Sequence, residues 1–104
     1  MANYVFMYSG GKGVSSDEVE RTAQYAKWGQ WFRDLGSAVV DGGAAMGTAK
    51  TVGPDGAVSE SGSRGVTGFS MVSADSLDSA VELAKGCPVL EIGGSVDVYE
   101  AISM

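Results

Sequence analysis

The most constraining feature of the chain is the run Asn3-Tyr4-Val5-Phe6-Met7-Tyr8-Ser9. Aromatic and β-branched residues in unbroken succession read as a strand. Side chains alternate across a strand, so Tyr4, Phe6 and Tyr8 take one face and Val5 and Met7 the other. Both sets are apolar, so neither face suits water. The chain must therefore build a sheet with cover on both sides.

The strand stops at Gly10-Gly11-Lys12-Gly13, a flexible turn. Ser15, three residues before Glu18, fits a capping box and predicts a helix ending near Gly36, a C-terminal glycine. Its apolar stripe is Val19, Ala23, Trp28, Trp31, Phe32 and Leu35, and the last four have the one-face spacing of a helix. Gly29 interrupts it and could permit a close backbone approach. Residues 38–41 (Ala-Val-Val-Asp) read as a short strand. Residues 48–65 are rich in glycine, and Asp55-Gly56 marks a turn. Val52 and Val58 could flank a small hairpin there; otherwise the segment is a long loop, of the kind that often serves as a lid. Residues 66–73 read as a strand. Asp75 can cap a second helix, with Leu77, Ala80, Val81 and Ala84 inward and Gly86 with Cys87-Pro88 as its stop. Residues 95–102 form the last strand, with Val96, Val98 and Ile102 on one face.

The order is β-α-β-β-α-β within one domain, residues 1–104. It predicts an α+β fold of the ferredoxin-like kind, with two helices on one face of a four-stranded antiparallel sheet. The helices cover one face only. A second copy of the sheet is the simplest cover for the other, which predicts a homodimer with sheets packed face to face.

Composition narrows the chemistry. The chain has 104 residues, 13 acidic against 7 basic side chains, a formal charge of −6, one cysteine and no histidine. The negative charge argues against a nucleic-acid partner. A lone cysteine cannot form an internal disulfide, and absent histidine removes imidazole-based catalysis and most zinc sites, so no metal or cofactor is expected. The longest apolar stretch, residues 4–8, is far below the roughly 20 residues of a membrane span, and the N-terminal residues lack a basic leader. A cytoplasmic protein without membrane attachment is the expectation.

Several separated motifs resemble the YCII-related (DGPF-domain) family. They are Trp28-x-x-Trp31, Lys50-Thr51-Val52 before Asp55-Gly56, Thr67-Gly68-Phe69-Ser70, residues 74–80 (Ala-Asp-Ser-Leu-Asp-Ser-Ala), and the tail from Ala84-Lys85-Gly86-Cys87-Pro88 through Gly93-Gly94-Ser95-Val96-Asp97-Val98. The resemblance covers nearly the whole chain and implies a dimeric α+β barrel with a ligand-sized cleft between sheet and loops. The Asp-Gly-Pro-Phe signature itself is absent; its region reads Ser59-Glu60-Ser61-Gly62-Ser63-Arg64-Gly65. A His–Asp acid–base pair is thought to serve some members. Here Asp41 could stand near the acidic position, with no histidine to partner it.

Each candidate residue has a plainer reading. Asp41, at a strand end, could be a general base or a ligand contact; otherwise it is a turn-forming Asp bonded to its own backbone. Trp28 and Trp31, with Tyr25, could line an aromatic pocket, or be core or dimer-interface residues; Tyr8 is a further candidate ligand contact. Lys12, in its glycine-rich turn, could hold an anion, although the spacing is not that of a P-loop. Lys50, Thr51 and Arg64 flank the long loop and could hold a small acidic molecule if it closes; singly they read as solvated surface. Cys87 reads as a buried structural thiol.

Two functions remain open. One is a small-molecule-binding protein or enzyme, with a cleft among the first strand, the first helix, Asp41 and residues 48–65. Its acid–base work would fall to carboxylate, Tyr, Lys or water. The alternative is a non-catalytic dimerisation or accessory domain. The absent histidine favours the second and the retained aromatics the first.

Overall fold

The computed structural model describes residues 2–12, 15–60 and 65–103. Strand β1 (Ala2–Gly10) leads to helix α1 (Glu18–Leu35), and a short 3-10 turn, Gly36–Ala38, leads on to β2 (Val39–Ala45). A hairpin of β3 (Thr51–Val52) and β4 (Val58–Ser59) precedes β5 (Val66–Ala74). Helix α2 (Leu77–Ala84), a second 3-10 turn at Pro88–Ile92, and β6 (Gly94–Glu100) complete the order. The main sheet runs β2-β5-β1-β6, with every neighbouring pair antiparallel. The fold is therefore α+β, with a separate two-stranded sheet in the 48–65 segment.

That small sheet settles the choice between loop and hairpin. Thr51 faces Ser59 and Val52 faces Val58, and Gly53 and Ala57 close the turn through a 2.8 Å backbone bond. Asp55 accepts from the Ala57 N–H, the local bond that makes Asp-Gly a turn former.

Both helix caps differ from the sequence expectation by one or two residues. Asp17, not Ser15, caps α1, accepting from the Val19 N–H at 3.3 Å. Ser15 instead accepts from the Asp17 N–H and donates to Glu20. Ser76, not Asp75, caps α2 and accepts from the Ser79 N–H. The helix ends at Ala84, and Lys85 rather than Gly86 is its C-terminal cap. Serine and aspartate compete at neighbouring positions for the same orphan N–H groups, and sequence spacing alone does not decide between them. Gly36 does end α1, at φ 57°.

The inward stripes are narrower than periodicity predicts. Val19 is 78% exposed and Ala23 is exposed. On α2, Ala80 and Ala84 are buried, whereas Leu77 and Val81 reach solvent. Ile102 lies beyond β6 and is exposed. Gly29 gives no close backbone approach: a methyl group there would meet only the Arg33 side chain, at 3.5 Å.

The two faces of β1 separate as the alternation predicts. Tyr4, Phe6 and Tyr8 are buried under the helices, with Phe6 fully enclosed beside Val72. Val5 and Met7, opposite Met71 and Phe69 on β5, are half-buried on the other face. The molecule is about 19 Å through its thinnest axis, the depth of one sheet with one layer of helices.

Candidate functional site: an aromatic cleft beneath helix α1

The two helices meet the sheet with different side chains. Helix α2 presents Ala80 and Ala84, so it settles close to β5, β1 and β6. Helix α1 presents Trp28, Trp31 and Phe32, whose bulk holds its axis away from the sheet. Trp31 fills the gap at one end. It is buried, stacks on Phe6 at 6.1 Å, and donates its indole N–H to the Leu83 carbonyl at 3.3 Å. At the other end the gap stays open.

The opening is a cleft of about 440 Å³. Its roof is the α1 face carrying Tyr25, Trp28 and Phe32, and its floor the sheet around Tyr8, Gly68 and Ser70. Residues 42–45 of β2 and residues 88, 89, 91 and 92 of the second 3-10 turn form the flanks. This volume lies within the roughly 300–1,000 Å³ range of small-molecule pockets.

The floor depends on an irregular edge strand. Along β2 the pairing slips twice, between Val39 and Asp41 and between Asp41 and Ala44. Such bulges turn backbone groups out of the ladder. Gly43 allows this one, at φ 77°, because a side chain there would run into the Phe69 carbonyl. The slip turns the Gly42 carbonyl toward Ser70, whose hydroxyl donates to it at 2.8 Å. Tyr8 in turn donates its phenol hydrogen to the Ser70 oxygen, also at 2.8 Å. The chain of bonds runs one way, from Tyr8 through Ser70 to Gly42. It satisfies a serine with no solvent exposure, and among the described residues no buried side-chain polar atom lacks a partner.

Burial holds the Tyr8 phenol in its neutral form, raising its pKa well above the ordinary range. Cys87 is a free, buried thiol pushed up to about 11 by the same loss of hydration, so it is protonated and inert at neutral pH.

The candidates read from sequence divide between two places. Tyr8 and Trp28 line the cleft, with rings packed edge to face at 5.0 Å. Trp31 stands behind them in the core. Asp41 is exposed and accepts from the Gly43 N–H at 2.8 Å; it shapes the bulge whose next residues form the cleft flank. Lys12 is exposed beyond the cleft, its backbone N–H bonded to the Ile92 carbonyl. Lys50 and Thr51 are on the hairpin, where Lys50 pairs with Glu60 at 3.4 Å; neither lines the cleft. Arg64 lies outside the described residues, as does part of the Gly10–Gly13 turn. Ser70 in the floor and Gly42 in the flank line the cleft too, without having been singled out as site residues. Their signals were a serine at an inward strand position and paired glycines at a strand edge.

At the rim, Lys27 and Glu91 pair at 3.2 Å, both largely solvated. Among the described residues no group of three His, Cys, Asp or Glu side chains could hold a metal ion, and no helix is long and apolar enough to cross a membrane. No family model matches the chain, and a search of curated proteins finds no match.

Proposed function

We propose that the protein is a homodimeric small-molecule-binding protein whose ligand enters the cleft beneath α1. The observation that carries this reading is the cleft itself: aromatic walls on a rigid sheet, with one buried chain of hydroxyl groups in its floor. Binding without catalysis suits the residues better than turnover. Both floor hydroxyls are engaged with each other and a carbonyl, and the thiol nearby is held protonated. The accessory-domain alternative draws on the same engaged hydroxyls, but it leaves the aromatic cleft without a role.

The strand order β2-β5-β1-β6 supports the ferredoxin-like reading. The dimer rests on the uncovered sheet face, where Val5, Met7, Phe69 and Met71 are half-buried and Tyr99 is exposed. Four strands about 4.8 Å apart, each about eight residues of 3.3 Å, give a face of about 500 Å² per copy. Two such faces reach the roughly 1,000 Å² that a specific interface needs. Light scattering at micromolar concentration should give twice the 10.6 kDa chain mass. A thermal-shift screen of small metabolites should raise the melting temperature with one chemical group of compounds. A monomer removes the dimer; a screen with no hit in any group leaves the accessory-domain reading.

A further inference from the structure

The chemistry of the cleft specifies its ligand more closely. We infer that the cleft takes a flat, uncharged aromatic compound carrying one N–H or O–H donor, which lies against Trp28 and gives its hydrogen to the Tyr8 phenol oxygen. This rests on the ligand-binding reading above and adds the class of ligand.

Three observations lead to it. The first is the direction of the floor bonds. The Tyr8 hydrogen is used on Ser70 and the Ser70 hydrogen on Gly42, so neither hydroxyl can donate to a ligand without breaking a 2.8 Å bond. A phenol oxygen that donates retains a lone pair. The floor therefore asks for a donor. The second is charge. The lysine lining the cleft, Lys27, is paired to Glu91 at the rim, so each sign is already answered. An anionic ligand would surrender its hydration and find no unengaged cation among the described lining side chains, a costly exchange in an apolar site. The third is shape. The Tyr8 and Trp28 rings meet at 78° and form a corner of two nearly perpendicular walls. A flat ring placed there can stack on one and meet the other edge-on, the two arrangements that aromatic quadrupoles favour. Phe32, tilted 34° from Trp28, extends the same wall.

Four probes of similar size test this by calorimetric titration of the intact protein. They are 2-naphthol (a donor), 2-methoxynaphthalene (the same shape without it), 2-naphthoate (an anion) and phenyltrimethylammonium (a cation). 2-Naphthol should bind tightest, and 2-methoxynaphthalene about three- to tenfold weaker, the worth of one hydrogen bond. The two charged probes should be weaker than either neutral one. Tyr8→Phe should erase the difference between the neutral pair, while Trp28→Leu should weaken both alike. If Tyr8→Phe does not fold, the neutral pair on the unaltered protein still decides the donor. Equal binding of the neutral pair, or tighter binding of either charged probe, overturns the inferred class and leaves a ligand cleft standing. Failure of all four probes to bind overturns the cleft reading and the inference together.

Discussion

The helix-covered layer has two ends that differ although one sheet underlies both. At the sealed end Phe6, Val72, Trp31 and Ala80 lie buried with almost no exposure. At the open end Tyr8, Trp28 and Ser70 surround about 440 Å³ of space. The difference follows from side-chain volume on the two helices. Alanines let α2 close onto the sheet, whereas aromatic rings hold α1 off it, and Trp31 fills part of the gap that results. A void in a small domain thus needs no special element. It needs one helix too bulky to settle and one edge strand bulged away from the ladder.

Mutations should separate the two ends by size of effect. Phe6→Ala strikes the sealed end and should cost about 3–5 kcal/mol in urea denaturation, since no water can enter to relieve the cavity. Ser70→Ala, in the floor of the open end, should cost about 1–3 kcal/mol, because it strands both the Tyr8 hydroxyl and the Gly42 carbonyl. Trp28→Leu, at the open end, should cost only about 1–2 kcal/mol, in line with the apolar area it gives up from a ring that is already partly wet. An equal cost for Phe6→Ala and Trp28→Leu would mean that the two ends are packed alike.

Burial also has a pH signature. Cys87, in the buried core, is raised from 9.0 to about 11 by burial. The fold favours its protonated form, so that contribution is complete below the ordinary thiol pKa and is lost as pH rises from 9 toward 11. The melting temperature should fall across that window, and Cys87→Ala should flatten the fall. Thiol labelling at pH 8 should be slow without denaturant. Gly29→Ala belongs to neither end. The added methyl group meets only the flexible Arg33 side chain, so the change should stabilise the protein by up to about 1 kcal/mol through helix propensity alone.

Much of this architecture was legible in the sequence because it rests on periodicity. The alternation in residues 3–9 gave the two faces of β1, and the spacing of Trp28, Trp31, Phe32 and Leu35 gave the inward face of α1. Asp55-Gly56 marked a turn that proved to close a hairpin. What periodicity does not carry is distance. It placed Trp28 and Trp31 on one helix face but could not tell that one ring would be sealed and the other would line a cleft, because that depends on how far α1 stands from the sheet. The double slip of β2 was likewise hidden, although Gly42-Gly43 beside Asp41 is the local composition that allows it. Lys50 and Thr51 were grouped with the cleft because the loop they flank could have folded over it. The β3-β4 pairing instead occupies their segment in a hairpin of its own.

Trp28 lines the cleft while Trp31 does not, and the protein's two tryptophans allow both placements to be read from one spectrum. A proton–nitrogen correlation spectrum should show two indole N–H signals, assigned by Trp28→Phe and Trp31→Phe. On titration with 2-naphthol, the Trp28 signal should move saturably. The Trp31 signal, fixed by its bond to the Leu83 carbonyl, should move much less. A Trp28 signal that stays still while the probe saturates the protein, or two indole signals that shift equally, would contradict the account.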